Sequence, residues 1–318
     1  MFLRTLLSVL LLSLCLPLAS AQDAPTDDAP IAYTLTVDDL ERSFTVHVPA
    51  TLLDPAPLVI ALHGRGGDGS SMERLTRFSD VADQDGFIVA YPDGLNQEWN
   101  FVLDIPGYPN THDDSVFLAA LVDQVAEDYA IDLTRVYVAG FSNGGFMAQR
   151  LACEHPEQYA AFASVGAAGF GGMPLVCQDH GSVPAPMLLM HGTHDLVVPF
   201  DGENVRRGDR MITLLYPVSN TVGYWSEFNG CQPEGVVTDI APTAGPEGTA
   251  VRVLTIECPE ETEVLLYAVL GGGHNWPGQE AFEPADIFGA ISQDISASEV
   301  IWEFFARHSR APEAEAAD

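Results

Sequence analysis

The apolar residues of this chain fall alternately into strand-like and helix-like patterns along most of its length. Near the start, segments 31–37 and 43–48 alternate apolar and polar residues, which is typical of half-buried antiparallel strands. Short, mainly apolar segments farther along predict further strands, and a continuous apolar run such as 58–62 indicates burial on both faces. The later predicted strands are 58–62, 87–91, 135–141, 186–191, 251–256 and 263–269.

Apolar residues at helical spacing predict helices between these strands. The predicted helices are 71–85, 113–129, 144–154, 221–229 and 296–308. Strands that alternate with helices after an opening strand pair predict an α/β fold, with a mostly parallel, doubly wound sheet and an antiparallel N-terminal edge. Because no internal repeat or dividing linker is visible, we expect residues 31–310 to form a single domain.

The first residues have the pattern of a secretory signal. A short start with Arg4 precedes an apolar run that is shorter than the ~20 residues of a membrane-spanning helix, and the small residues Ala19-Ser20-Ala21 follow. We therefore expect a cleaved signal peptide over 1–21 and a secreted protein, extracellular or periplasmic. A lipid anchor at Cys15 is the less favoured alternative.

Polar composition predicts disorder at both ends of the exported chain. Residues 22–30 form a polar leader that contains proline, and residues 311–318 form a short acidic tail. Both segments are expected to lie outside the folded domain.

The charge balance excludes several classes of function. The formal net charge is −32, from 45 acidic and 13 basic residues, and every basic residue is arginine. A chain without lysine cannot contain a Walker A phosphate loop, a pyridoxal Schiff base or a Ser-Lys pair. Its negative field repels nucleic acids and anionic membranes, so neither is an expected partner. Adaptation to a saline habitat and ordinary solubility both remain open explanations of the charge.

Four cysteines remain after the predicted signal peptide, which indicates two disulfides in an exported protein. Three pairings are possible, and pairs close in sequence close the shorter loops. We therefore expect bonds between Cys153 and Cys177 and between Cys231 and Cys258.

The sequence Gly140-Phe141-Ser142-Asn143-Gly144 carries the strongest chemical signal. It lies between a predicted buried strand and a predicted helix, which is the setting of a G-x-S-x-G nucleophile elbow. Such a tight turn accepts only small residues beside the serine. Ser142 is therefore the predicted nucleophile.

A nucleophilic serine needs a base, and in α/β-hydrolases the acid and then the histidine follow the serine along the chain. His274 lies in a glycine-rich loop after the predicted strand 263–269, where such a base belongs. Asp195 lies in the loop after strand 186–191 and is the predicted acid, with Asp201 as its rival. The acid would fix the tautomer of the imidazole.

The oxyanion of the reaction needs two backbone N–H donors. One is expected from Asn143, the residue after the nucleophile. The other is expected from Arg65, in the glycine-rich loop His63-Gly64-Arg65-Gly66-Gly67 that follows strand 58–62.

His191, His194 and Asp195 could alternatively be metal ligands. Two histidines and one carboxylate without a second cluster are a weak signal for zinc. We therefore predict no metal and no cofactor.

Together these motifs resemble the polyhydroxybutyrate depolymerase and feruloyl esterase family, a secreted branch of the α/β-hydrolases. The matching stretches, in order, are 62–64, 91–94, 99–100, 113–114, 135–140, 142–145, 191–195 and 273–278. The resemblance implies the same triad of Ser142, Asp195 and His274, and it implies that Trp99 and Trp276 border the acyl pocket. Several family members have cysteine where this chain has Arg65, whose side chain would either reach an anionic substrate group or lie on the surface.

The resemblance implies a secreted serine esterase that acts on hydroxycinnamate esters of cell-wall polysaccharide or on 3-hydroxyalkanoate oligomers. Without a separate polymer-binding domain, soluble esters or oligomers are expected substrates rather than crystalline polyester. An acetylxylan-type esterase is the main alternative. An exopeptidase-like serine hydrolase and a non-catalytic binding protein are less favoured. The sequence does not indicate an oligomeric state.

Overall fold

The structure is a computed structural model that describes residues 30–102, 112–177, 183–232, 234–242, 248–280, 282 and 284–311. The predicted signal peptide and nearly all of the predicted leader and tail lie outside these residues. The strands are β1 (Ile31–Val37), β2 (Leu40–His47), β3 (Ala56–Leu62), β4 (Ile88–Pro92), β5 (Ile131–Phe141), β6 (Ala161–Val165), β7 (Met187–Gly192), β8 (Glu203–Arg207), β9 (Arg210–Leu215), β10 (Val236–Ile240), β11 (Ala250–Glu257) and β12 (Glu263–Leu270).

Ten of these strands form one sheet in the order β1-β2-β4-β3-β5-β6-β7-β12-β11-β10. The six central strands, from β4 to β12, are parallel, so their carboxyl ends lie along one edge. The α/β-hydrolase type of sheet predicted from the sequence is confirmed, including its antiparallel N-terminal edge. A second antiparallel edge, formed by β11 and β10, was not predicted.

Helices cover both faces of the sheet, and an apolar core lies under each layer. The helices are α1 (Gly69–Thr76), α2 (Phe78–Asp85), α3 (Asp114–Asp128), α4 (Asn143–Glu154), α5 (Met173–Val176), α6 (Val218–Phe228), α7 (Ala285–Phe288) and α8 (Ala297–Phe305). Side chains of α3, α4 and α6 fill one core, and side chains of α1, α2 and α8 fill the other. Within the described residues no helix is long and apolar enough to cross a membrane.

The helix predicted over 71–85 is wrong in one respect, because it is two helices. Arg77 adopts a left-handed conformation with φ of 52°, and its N–H donates to the carbonyl of Glu73, which ends α1. The chain then turns so that Phe78 begins α2 as a buried residue.

The structure pairs the cysteines that are close in sequence, as expected. Cys153 is bonded to Cys177, and Cys231 is bonded to Cys258. The first bond ties the end of α4 to α5, and the second ties the segment after α6 to the end of β11.

Two buried arginines anchor the segment that follows β4. Arg42 on β2 donates to the Asp114 carboxylate at 2.7 Å, and the other Asp114 oxygen accepts the backbone N–H of Asn100. Arg150 on α4 donates to the carbonyl of Asn100 and to Asp113. Residues 99–100 are thereby fixed beside the carboxyl edge of the sheet.

Replacement of Arg42 by methionine should destabilise the protein by about 3–5 kcal/mol at neutral pH, because Asp114 would remain charged and buried without its cation. Burial alone would raise the pKa of Asp114, but the hydrogen bond from His112 and the charge of Arg42 outweigh it and hold that pKa below 3.8. The pair therefore stabilises the fold above about pH 4, and its contribution is lost as the pH falls through the folded-state pKa.

Denaturant unfolding as a function of pH measures this effect. The matched control is Arg252→Met, which breaks an exposed pair with Asp239 and should leave stability nearly unchanged. A deficit in Arg42→Met that is equally large at pH 3 and pH 7 would contradict the account.

Candidate active site

Ser142 forms the turn between β5 and α4 at the carboxyl edge of the sheet. Its backbone has φ of 53° and ψ of −116°, a strained conformation for a residue with a side chain. The Ser142 N–H donates to the Val165 carbonyl at 2.8 Å, and the Ser142 carbonyl accepts from Phe146. The serine side chain is partly exposed at the tip of this turn.

Only glycine fits at the two positions that flank this turn, because backbone atoms occupy the space that a side chain would need. A Cβ on Gly140 would lie 2.1 Å from the Gly144 carbonyl oxygen, and a Cβ on Gly144 would lie 2.2 Å from the Leu62 carbonyl oxygen. The start of α4 is therefore packed against the end of β3. This contact brings the serine turn next to the loop that follows β3.

His274 and Asp195 lie in the loops that follow the neighbouring parallel strands β12 and β7. The His274 Nδ1–H donates to Asp195 Oδ2 at 2.7 Å, and the two side chains are 3% and 0% exposed. Asp195 Oδ1 accepts the backbone N–H groups of Val197 and Val198, each at 2.8 Å. With Nδ1 as donor, Nε2 of His274 keeps a lone pair that can accept a proton.

Asp201, the rival acid, is exposed in the turn that precedes β8. The structure therefore brings Asp195, and not Asp201, into contact with the histidine.

The His274 ring lies against the serine turn. Its centroid is 4.9 Å from that of Phe141, the residue before Ser142. Gly166, which follows β6, leaves space for the ring, since a Cβ there would lie 3.1 Å from His274 Cε1. The sequence around Gly166 gives no signal for this role, because nothing in its local pattern indicates contact with a distant histidine.

The loop after β3 is fixed by the side chain of its first residue, His63. The His63 Nε2 accepts the backbone N–H of Gly94 at 2.9 Å, so the proton is on Nδ1, which donates to the Gly64 carbonyl at 2.8 Å. Burial lowers the pKa of His63, which keeps the ring neutral in this role. A Cβ on Gly64 would lie 3.4 Å from the Ser142 Cβ, so this loop forms one wall of the site.

The two predicted oxyanion donors belong to the residue that follows Ser142 and to the loop that follows β3. Within the described residues, neither the Arg65 N–H nor the Asn143 N–H has a hydrogen-bond partner. The Asn143 side chain instead bonds both backbone groups of Trp99. The Arg65 guanidinium lies on the surface, 3.2 Å from the Glu98 carboxylate.

The two tryptophans that the resemblance places at the acyl pocket are both buried. Trp99 is 2% exposed, and its indole N–H donates to the His63 carbonyl. Trp276 has no exposed surface, and its indole N–H donates to Ser298 Oγ at 3.0 Å. Both rings support the walls of the site from behind, and Trp276 does so from within the core that contains α8.

Two phenylalanines, Phe101 and Phe282, are more exposed than these tryptophans and were not predicted as site residues. Phe101 is half-buried and stacks on Phe146, in the first turns of α4, with Phe170 edge-on to both rings. On the other side, the half-buried Phe282 stacks on Phe141. Apolar residues in loops carry no periodic signal, so these positions were not predictable from spacing alone.

The structure gives His191 and His194 separate surroundings. The buried His191 bonds the Val198 carbonyl at 2.8 Å, and burial lowers its pKa. His194 is exposed, and the Asp195 carboxylate accepts a hydrogen bond from His274. In the part of the chain that the structure describes, no group of three or more metal-ligating side chains is found.

Comparison with solved structures supports the fold. An acetyl xylan esterase from Aspergillus awamori matches with a TM-score of 0.57 and 18% identity, over 81% of this chain and 98% of that one. A thermostable esterase matches with a TM-score of 0.56 and 18% identity, over 89% of this chain and 64% of that one.

Comparison with known sequences identifies the family. A family model described as "Esterase PHB depolymerase" matches residues 42–198. The esterase-family protein NocK of Nocardia uniformis is 31% identical over 88% of this chain and 85% of its own length. Feruloyl esterase C of Emericella nidulans is 30% identical over 79% of this chain and 78% of its own length. The chain therefore belongs to the polyhydroxybutyrate depolymerase and feruloyl esterase family of α/β-hydrolases, and it is a carboxylic ester hydrolase.

Proposed function

We propose that this protein is a secreted serine esterase that uses Ser142, His274 and Asp195 as its catalytic triad. The observation that carries the proposal is the 2.7 Å hydrogen bond between the buried side chains of Asp195 and His274, beside the strained turn of Ser142. A carboxylate that orients an imidazole next to a serine at an elbow is the arrangement that activates a hydroxyl as nucleophile.

The reaction begins when Ser142 Oγ attacks the ester carbonyl and His274 Nε2 takes the hydroxyl proton. Asp195 holds the Nδ1–H and stabilises the imidazolium that forms. The tetrahedral intermediate collapses, the alcohol leaves with the proton from His274, and an acyl-serine remains. Water then attacks the acyl group by the same route and releases the acid and the free serine.

The Arg65 and Asn143 N–H groups are assigned to bind the oxyanion of each tetrahedral intermediate. Both are backbone donors held in place before substrate binds, so little reorganisation is needed during the reaction. The Arg65 donor depends on the two hydrogen bonds of His63, and the Asn143 donor depends on the close packing of Gly144 on β3.

We assign the acyl group to the hydroxycinnamate class. The half-buried rings of Phe101 and Phe282 lie on either side of the serine turn and offer aromatic faces to a flat, conjugated acid. The name of the Emericella relative, feruloyl esterase C, supports the same class. Oligomers of 3-hydroxyalkanoate and acetylated xylan are the competing substrates, and neither needs aromatic faces.

Export to an oxidising compartment is part of the proposal. Its support is the signal-like sequence at 1–21 and the two disulfides, which persist outside the reducing cytosol.

Replacement of His63 by alanine should lower kcat on every ester about 10- to 100-fold, with a smaller change in KM. The loop would lose both of its side-chain hydrogen bonds, and loss of one complete oxyanion donor costs on the order of 10²–10³ in rate. The matched control is His47→Ala. His47 is another buried histidine, which lies on β2 and is hydrogen-bonded to Asp83 on α2. Equal kcat losses in the two variants would contradict the assignment of the loop after β3 to oxyanion binding.

The acyl class is tested by the ratio of kcat/KM on methyl ferulate to that on a 3-hydroxybutyrate oligomer, with Ser142→Ala as the blank. We expect the ferulate to be hydrolysed faster. Faster cleavage of the oligomer would contradict the aromatic acyl pocket, and unchanged hydrolysis in Ser142→Ala would contradict the triad itself. Activity on neither ester, with a simple acetyl ester still cleaved, would contradict the hydroxycinnamate assignment alone.

A further inference from the structure

Strands β8 and β9 form a hairpin that is separate from the main sheet. Nearly every residue of the hairpin is exposed, including the turn residues Gly208 and Asp209. A two-stranded hairpin is marginally stable in water without a packing partner. Packing within the fold therefore does not explain the side chains that this hairpin carries.

The register places two arginines directly opposite each other next to the turn. Arg207 pairs with Arg210, and Val205 pairs with Ile212 two positions away, so all four side chains lie on the same face. Like charges directly opposite in a strand pair destabilise it. The turn also carries Asp209, but in the described residues neither arginine forms an ion pair or a side-chain hydrogen bond.

Arg207 and Arg210 differ from several other arginines of the chain because they have no carboxylate partner in the described residues. Five exposed or half-exposed arginines form salt bridges with carboxylates. They are Arg65, Arg77, Arg135, Arg252 and Arg307. In a chain with 45 acidic and 13 basic residues, an arginine pair without a carboxylate partner leaves a positive site in a strongly negative surface.

The same face continues from the arginines as a short apolar strip, and the exposed Glu203 lies at its far end, at the base of the hairpin. Val205 is half-buried, and Ile212 and Leu214 are 39% and 43% exposed. A ligand that fits this face places carboxylates at the two arginines and turns C–H surface toward the strip. Carboxylates bind guanidinium groups by paired, charge-assisted hydrogen bonds.

The base of the hairpin adjoins the site. Gly171 donates its N–H to the Leu214 carbonyl, and Tyr216 donates its N–H to the Gly169 carbonyl. Between these contacts lies Phe170, which packs against Phe101 and Phe146 beside the serine turn. A chain that extends away from an acyl group at Ser142 can therefore run along the hairpin.

We propose that the hairpin face with Arg207 and Arg210 binds the carboxylates of an acidic, uronate-bearing polysaccharide that carries the ester. The C–H faces of its sugar rings would cover the apolar strip formed by Val205, Ile212 and Leu214. The inference rests on the proposed function, since it concerns the alcohol half of that ester. The negative field of the remaining surface opposes such binding, so its affinity depends on the two arginine contacts.

Binding to the inactive Ser142→Ala protein tests the inference without turnover. The probe is an oligogalacturonate with free carboxylates, titrated calorimetrically at low salt, and its fully methyl-esterified form is the neutral control. We expect the free acid to bind more tightly than the ester. Addition of Arg207→Gln and Arg210→Gln should weaken binding of the free acid about tenfold or more, because two charge-assisted contacts are lost.

The matched control removes the same two charges elsewhere, at the exposed Arg77 and Arg252, and should leave binding nearly unchanged. The melting temperature should not fall in the Arg207→Gln/Arg210→Gln variant, because a repulsive pair is removed. A lower melting temperature with unchanged binding would assign the two arginines to stability and overturn the inference.

Three other results would also overturn it: equal binding of the free acid and its ester, equal losses in the two double variants, or a dimer that dissociates in the hairpin variant while oligosaccharide binding persists. The last result would identify a second copy of the chain as the occupant. Failure of the wild-type enzyme on methyl ferulate, with hairpin-dependent binding retained, would contradict the proposed acyl class and support the binding face.

Discussion

The left-handed backbone of Ser142 is the constraint on which the rest of the site depends. Such a conformation costs on the order of 1–3 kcal/mol for a residue with a side chain, and it persists only where the surroundings enforce it. Here the surroundings are the backbones of Gly140, Gly144 and Leu62, which approach too closely to admit a Cβ on either glycine. The favourable burial of α4 against the sheet holds that approach in place.

This packing also explains why the other site groups converge. The helix that starts at Asn143 presses on the end of β3, so the loop with Arg65 is held beside the serine. The parallel pairing of β7 with β12 places Asp195 and His274 side by side although 79 residues separate them. Gly166 at the end of β6 leaves the space that the imidazole fills. The carboxyl edge of one parallel sheet thus assembles groups from distant parts of the chain.

The sequence predicts those parts of the fold whose signal is local. The strand–turn–helix around Ser142 and the loops after buried strands mark the candidate triad, because residue type and spacing carry that information. Strand β6 was missed since Ala161–Val165 is short, rich in alanine and buried on both faces, with no alternation to reveal it. The β8–β9 hairpin was missed because its exposed residues do not alternate in polarity.

The residues of the candidate site could be proposed from the sequence, but the shape of the surface that they form could not. Whether a tryptophan faces a substrate or the core depends on contacts with residues far along the chain, such as Ser298 for Trp276. The role of His63 depends on the Gly94 N–H, which its own segment does not reveal. Long-range contacts of this kind are set by the packing of the whole sheet, and local patterns do not encode them.

Covalent labelling with an alkyl fluorophosphonate, followed by mass spectrometry of the digested protein, tests the central claim most directly. The reagent phosphonylates an activated serine, and the oxyanion donors bind the resulting phosphonyl oxygen. The account predicts one adduct, on the peptide that contains Ser142, with loss of ester hydrolysis in proportion to labelling. An adduct on another residue, or full activity after labelling of Ser142, would contradict it.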